Sequence, residues 1–147
     1  MGHTYVHFRY HVVFSTKDRR PLITDNVKPD LYSYMTGITR NLKSQIMLIN
    51  GPPDHVHALL AVPPAGSFSD FMREFKAGSS AWTNARIKDF AWQTGYSAFT
   101  VSKSAEPVVL RYIAGQEEHH RKLSFNEELV AMLKKHGVEY DERYILD

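Results

Sequence analysis

Aromatic and β-branched residues alternate through Thr4–Ser15, and that alternation predicts a strand. Val6, Phe8, Tyr10, Val12 and Phe14 would line its core face, while Tyr5, His7, Arg9, His11 and Val13 would form a polar or functional one. Lys17–Asn26 is a polar loop containing Pro21. Leu31, Tyr34, Met35, Ile38 and Leu42 recur at helical spacing and predict a helix over Lys28–Leu42. Gln45–Asn50 reads as a short apolar strand. The turn Gly51-Pro52-Pro53-Asp54 joins it to a second apolar run, Asp54–Val62, which should lie antiparallel to it.

Pro63-Pro64-Ala65-Gly66 closes that pair of strands. Ser67, with Asp70 three residues on, is an N-cap signal for a long helix reaching about Lys88. Phe68, Phe71, Met72, Phe75 and Trp82 supply its apolar stripe, beside which Lys76, Ser79 and Ser80 form a small polar portion. Thr94-Gly95 precedes a strand at Tyr96–Val101, and Ser102–Pro107 is a polar loop. A helix over Val108–Lys122 follows, and Ser124 with Glu127 marks a capping box for a last helix ending at His136-Gly137. The tail Val138–Asp147 is polar and aromatic. The order β-α-β-β-α-β followed by two helices predicts an α+β fold of the ferredoxin-like kind, a four-stranded antiparallel sheet with helices on one face. At 147 residues the expectation is a single domain, with a core over about 4–101, a helix at 108–122, and a C-terminal helix and tail over 124–147.

The pattern also singles out chemistry. His55 and His57 flank Val56 on a predicted strand, so both imidazoles share one face. Two adjacent imidazoles are a start for a divalent-metal site. On the predicted helix over 108–122, Tyr112 and Gln116 are four residues apart and lie on one face. This sets a phenol beside an amide oxygen that can complete a mixed N/O site for Mg²⁺ or Mn²⁺. The combination points to phosphodiester chemistry with Tyr112 as nucleophile and a covalent phosphotyrosine product. His119, on the same helical face, together with Arg9, His11 and Lys76, supplies accessory phosphate or proton contacts. Each element alone also has a plain structural reading: a His-x-His pair is more often exposed or structural than a ligand pair, and Tyr112 alone reads as an amphipathic core tyrosine.

Composition changes the picture only a little. Apolar residues at 43% and charged residues at 23% are those of an ordinary globular chain. Without cysteine, neither a disulfide framework nor a thiolate zinc site is available. A net charge of +2 permits a nucleic-acid partner without requiring one, and the basic clusters at Lys17–Arg20, Arg40 with Lys43, and His119–Lys122 are where phosphates would meet the surface. No apolar stretch approaches membrane-spanning length, and no secretory signal pattern opens the chain.

Several motifs occur in one order: Asp54-His55-Val56-His57, Lys76-Ala-Gly-Ser79-Ser80, Trp92-Gln-Thr-Gly95-Tyr96 and Tyr112-Ile-Ala-Gly-Gln116. Together they resemble the HUH single-tyrosine transposases of the insertion-sequence-200/605 type, from Tyr10 to Tyr144. The segment after Ser124 looks like the branch associated with repeated extragenic palindromes, in which a monomer is compatible with the pattern. The resemblance implies a cytoplasmic, nucleoid-associated bacterial or archaeal enzyme that cuts and rejoins single-stranded DNA at hairpin-containing ends. It implies His55, His57 and Gln116 as ligands to Mg²⁺ or Mn²⁺, and Tyr112 forming a 5′-phosphotyrosine. It further implies a homodimer in which active sites can be completed in trans. Two other readings compete. A non-catalytic single-strand-binding module on the same fold would stack bases on sheet aromatics such as Tyr5. A histidine-triad hydrolase would need a third histidine where Leu59 stands.

Overall fold

In the computed structural model, residues 2–120 and 122–145 are described, except for the side chain of His119. Four strands, β1 (Arg9–Ser15), β2 (Gln45–Asn50), β3 (His55–Ala61) and β4 (Ser97–Thr100), form one antiparallel sheet in the order β2-β3-β1-β4. That order, with helices α1 (Lys28–Asn41) and α2 (Phe68–Asn84) as crossovers, is the ferredoxin-like arrangement. Three further helices follow: α3 (Glu106–Ala114), α4 (Gln116–His119) and α5 (Phe125–Lys135).

Alternation divides the sheet into two buried faces. Val12, Phe14, Val56, Ala58 and Leu60 point toward α1 and α2 and pack with Leu31, Met35, Phe71, Met72 and Phe75. Ser67 caps α2 by accepting from the Asp70 amide, as the sequence predicts. The opposite face carries His11, Val13, His55, His57 and Leu59, and it is not open. Helix α3 lays Ile113, Val109 and Leu110 over Leu59 and Val101, while α5 lays Phe125, Leu129, Met132 and Leu133 over Val13 and Phe99. The expectation of helices on one face holds for the two crossover helices only. The reason is hydrophobic: an antiparallel sheet with Val13, Leu59 and Phe99 on its second face must cover them too.

The first strand begins later than its alternation predicts. Tyr5, Val6 and Phe8 are exposed, and residues 2–8 make no ladder. Arg9 pairs across with Ala61, where β3 ends, so the preceding residues have no strand to bond to. Trp82 packs against the core at the edge of its stripe, as predicted, while Tyr34 is exposed and stacks on it at 5.2 Å. The predicted helix over 108–122 starts two residues early and breaks at Gly115.

Lys76 is a second departure. Its ammonium is buried on the α2 side and donates to the carbonyls of Gln93 (2.7 Å), Thr94 (3.1 Å) and Gly95 (2.5 Å), tying α2 to the entry of β4. Desolvation pulls its pKa down to about 8, which leaves it charged at neutral pH. All three donor N–H groups of the ammonium are engaged within the chain, so Lys76 has a structural role in this fold rather than a free donor for phosphate. Lys76→Met should lower stability by about 2–3 kcal/mol in urea unfolding, because three carbonyls lose a charged donor. A phosphate-binding role would instead show as weaker DNA binding with an unchanged urea midpoint.

Candidate metal and nucleophile centre

Strand register brings the histidines together. Val13 pairs with His57, Ser15 with His55 and His11 with Leu59, and directly opposed residues share a face. The turn before β3 is tight: a β-carbon at Gly51 would collide with the His55 carbonyl, so glycine is what lets β3 start there. Both imidazoles are fully buried. His55 Nδ1 lies 2.7 Å from Asp54 Oδ1, and His57 Nδ1 lies 2.8 Å from His11 Nε2. Each histidine is thereby held through one ring nitrogen and presents Nε2 to a common point.

That point is Glu128, on the first turn of α5. Its Oε1 is 3.2 Å from His55 Nε2, 2.9 Å from His57 Nε2 and 2.9 Å from His120 Nε2. Its Oε2 accepts a hydrogen bond from the Tyr112 hydroxyl and another from Gln116 Nε2 at 3.1 Å. Gln116 Oε1 lies 3.1 Å from His120 Nε2. Tyr112, Gln116 and His120, spaced by four, stay on one side of the chain through the break at Gly115. Asn50 of β2 donates to the carbonyls of Ile113 (3.1 Å) and Ala114 (3.3 Å), which fixes the end of α3 beside the sheet.

The electrostatics follow from crowding. Burial, with His57 adding to it, pushes His11 down to about 3, and burial pushes His57 down to about 4 against the pull of Glu128. His55 behaves oppositely: burial would lower it, but hydrogen bonds to Asp54 and Glu128 raise it. Burial would likewise lift Glu128, yet the bonds from His120, His55 and His57 hold its carboxyl far below the usual range. Burial and then Glu128 raise the Tyr112 phenol. Tyr112 is therefore a neutral donor at neutral pH.

One ligand atom each from His55, His57, His120 and Glu128 lies within 4.8 Å of the others, a spacing that can hold a metal ion. The chemistry of the set fits as well. Imidazoles that bind a metal through one nitrogen are oriented by a partner on the other, the role Asp54 and His11 have here.

The sequence-predicted residues divide clearly. His55, His57, Tyr112 and Gln116 meet, and His11 joins them as the partner of His57. Arg9 does not: its Nε lies 3.0 Å from Glu106 Oε1 at the start of α3. Lys76 is bound to carbonyls near β4, and the side chain of His119 lies outside the described residues. Sequence reasoning missed Glu128, His120 and the partnering role of Asp54. The signal for His120 was present, since Tyr112, Gln116 and His120 share four-residue spacing. The capping box set Glu128 in the first turn of α5 without showing that this turn faces the histidines.

A family model described as "Transposase IS200 like" matches residues 4–116. The ISDra2 transposase TnpA of Deinococcus radiodurans is 25% identical over 126 residues, covering 80% of this chain and 90% of the relative. The transposase for insertion sequence element IS200 of Salmonella typhimurium is 28% identical over 116 residues, covering 74% of this chain and 76% of the relative. Among solved structures, a putative transposase from Deinococcus radiodurans superposes with a TM-score of 0.63 at 25% identity, covering 79% of this chain and 96% of the other. The REP-associated tyrosine transposase solved with a REP hairpin has the same fold, with a TM-score of 0.63 at 17% identity, covering 82% and 73% of the two chains.

Proposed function

The chain belongs to the IS200-like transposase family, and on that premise we propose that it cuts and rejoins single-stranded DNA through a covalent 5′-phosphotyrosine on Tyr112. The observation that carries this reading is the convergence of Tyr112 with His55, His57 and Gln116 in one buried cluster. Tyr112 Oη gives up its proton and attacks the scissile phosphorus, the P–O3′ bond breaks, the 3′-oxygen leaves and takes up a proton as a 3′-hydroxyl, and the bond energy is conserved for religation. His55 and His57 would hold Mg²⁺ or Mn²⁺, with the Gln116 amide in the same set. When bound, such an ion supplies Lewis acidity to a phosphate oxygen and favours ionisation of a nearby hydroxyl. The chain's own residues do the positioning: Asp54 and His11 fix the imidazoles, and Asn50 fixes the end of α3.

The REP-associated tyrosine transposase of the same fold, solved with a REP hairpin, supports a hairpin-bearing single-stranded substrate. The non-catalytic module has weaker support. Its sheet aromatics would have to be exposed, and the sheet face carrying the histidines is covered by α3 and α5. Among the described residues no helix is long and apolar enough to cross a membrane.

The test is incubation with hairpin-containing single-stranded DNA and Mn²⁺, with a covalent protein–DNA adduct read on a denaturing gel. Failure to form any adduct on any hairpin substrate sinks the nucleophile reading. A homodimer also follows from the resemblance, but in one chain the ring of Tyr112 lies 5.7 Å from that of its own His57. We therefore expect a site completed in cis. Mixing equal amounts of Tyr112→Phe and His55→Ala protein should restore no cleavage, whereas recovery toward about a quarter of the parent rate (half of the dimers mixed, one working site in each) would show exchange of the tyrosine helix between subunits.

A further inference from the structure

Helix α5 lies beyond residues 4–116, the part matched to the family, yet its Glu128 is the most connected side chain of the centre. The carboxylate is 2% exposed, and its two oxygens face different groups. Oε1 is shared by the Nε2 atoms of His55, His57 and His120, while Oε2 takes the Tyr112 hydroxyl and the Gln116 amide. We propose that Glu128 is a bridging residue of the centre, a ligand to the divalent ion through Oε1 and the positioning residue for the Tyr112 hydroxyl through Oε2. The inference rests on the reading that His55 and His57 hold such an ion.

Three observations support the bridge. A carboxylate oxygen surrounded by three imidazole nitrogens completes a nitrogen and oxygen donor set that suits a divalent cation. The α5 backbone is firmly seated, because Phe125 and Leu129 are buried on either side of Glu128, and Phe125 lies 4.5 Å from the ring of His55. The capping box at Ser124 and Glu127 fixes the first turn, so the carboxylate is delivered by a defined helix start and not by a loose loop. The consequence is that the segment after residue 116 belongs to the catalytic machinery.

Glu128→Gln keeps the shape and removes the charge. Mn²⁺ binding, followed by electron paramagnetic resonance, should weaken by more than about 100-fold, beyond the 10–100-fold that follows loss of an outer partner of a metal ligand. Cleavage by this variant at saturating Mn²⁺ should remain about 10-fold or more below the parent, because Tyr112 has lost its anchor. Glu128→Asp retains the charge but withdraws it by one methylene. It should recover part of the affinity, and it serves as the variant to read if the glutamine protein does not fold by near-ultraviolet circular dichroism. Mn²⁺ affinity within about threefold of the parent overturns the ligand assignment. Full recovery of rate at saturating Mn²⁺ overturns the bridge to Tyr112. Faster cleavage by Glu128→Gln would make the carboxylate a plug and overturn the proposal as well. Mn²⁺ binding that survives His55→Ala in the otherwise unchanged protein sinks the underlying metal reading, and this inference with it.

Discussion

Tyr112→Phe should abolish the covalent adduct and lower strand cleavage by at least about 10³-fold, equivalent to about 4 kcal/mol of transition-state stabilisation. The substitution is conservative everywhere except at the hydroxyl. The ring of Tyr112 rests edge-on against His11 at 6.0 Å and His57 at 5.7 Å, and phenylalanine keeps both contacts. What is lost is the hydrogen bond to Glu128. Stability should therefore fall by no more than about 1.5–3 kcal/mol, the scale of one hydrogen bond to a charged group. Binding of a hairpin oligonucleotide, measured by fluorescence anisotropy, should stay within a few-fold of the parent. A variant that still cuts at the parent rate would move the nucleophile to another residue. A variant that also fails to bind would show that the tyrosine helix holds DNA as well as reacting with it.

The alternation of apolar residues made the sheet legible, since β2 and β3 fall where the pattern puts them and β1 and β4 differ only at their ends. Periodicity failed where neighbours, not the local pattern, decide. Val6 and Phe8 continue the alternation of β1 but meet no partner strand, so they stay exposed. The histidine pair was legible because a spacing of two on a strand leaves little choice of face. Glu128 was not, because its role depends on how α5 crosses the sheet, which Leu129, Met132 and Leu133 set by packing on Val13 and Phe99. Lys76 shows the same limit from the other side. A lone lysine on a polar helix portion looks like a phosphate contact, and only the fold reveals the three carbonyls that occupy it.

The second large effect should come from His57. Its Nε2 faces the cluster, and its Nδ1 meets His11 at 2.8 Å. His57→Asn keeps a polar group that can meet His11 but cannot reach as far as an imidazole Nε2. Cleavage should fall by about 10³-fold, the several kcal/mol expected when charge stabilisation at the phosphate is lost. Chelation of divalent ions should reduce the parent protein to the same level, and added Mn²⁺ should restore the parent but not the variant. His57 is fully buried, so its replacement also perturbs the fold. Circular dichroism and hairpin binding measured alongside separate the two, since a folded variant that binds DNA normally and does not cut isolates the chemistry. The same pair of measurements decides between enzyme and binding module. A binding module predicts no cleavage by the parent and equal binding by parent, chelated parent and His57→Asn. A metal-assisted nuclease predicts cleavage by the parent with Mn²⁺ alone, and equal binding by all three proteins does not disturb that outcome. Cleavage that persists at the parent rate under chelation removes the ion from the reaction and leaves the imidazoles as the groups that meet the phosphate directly.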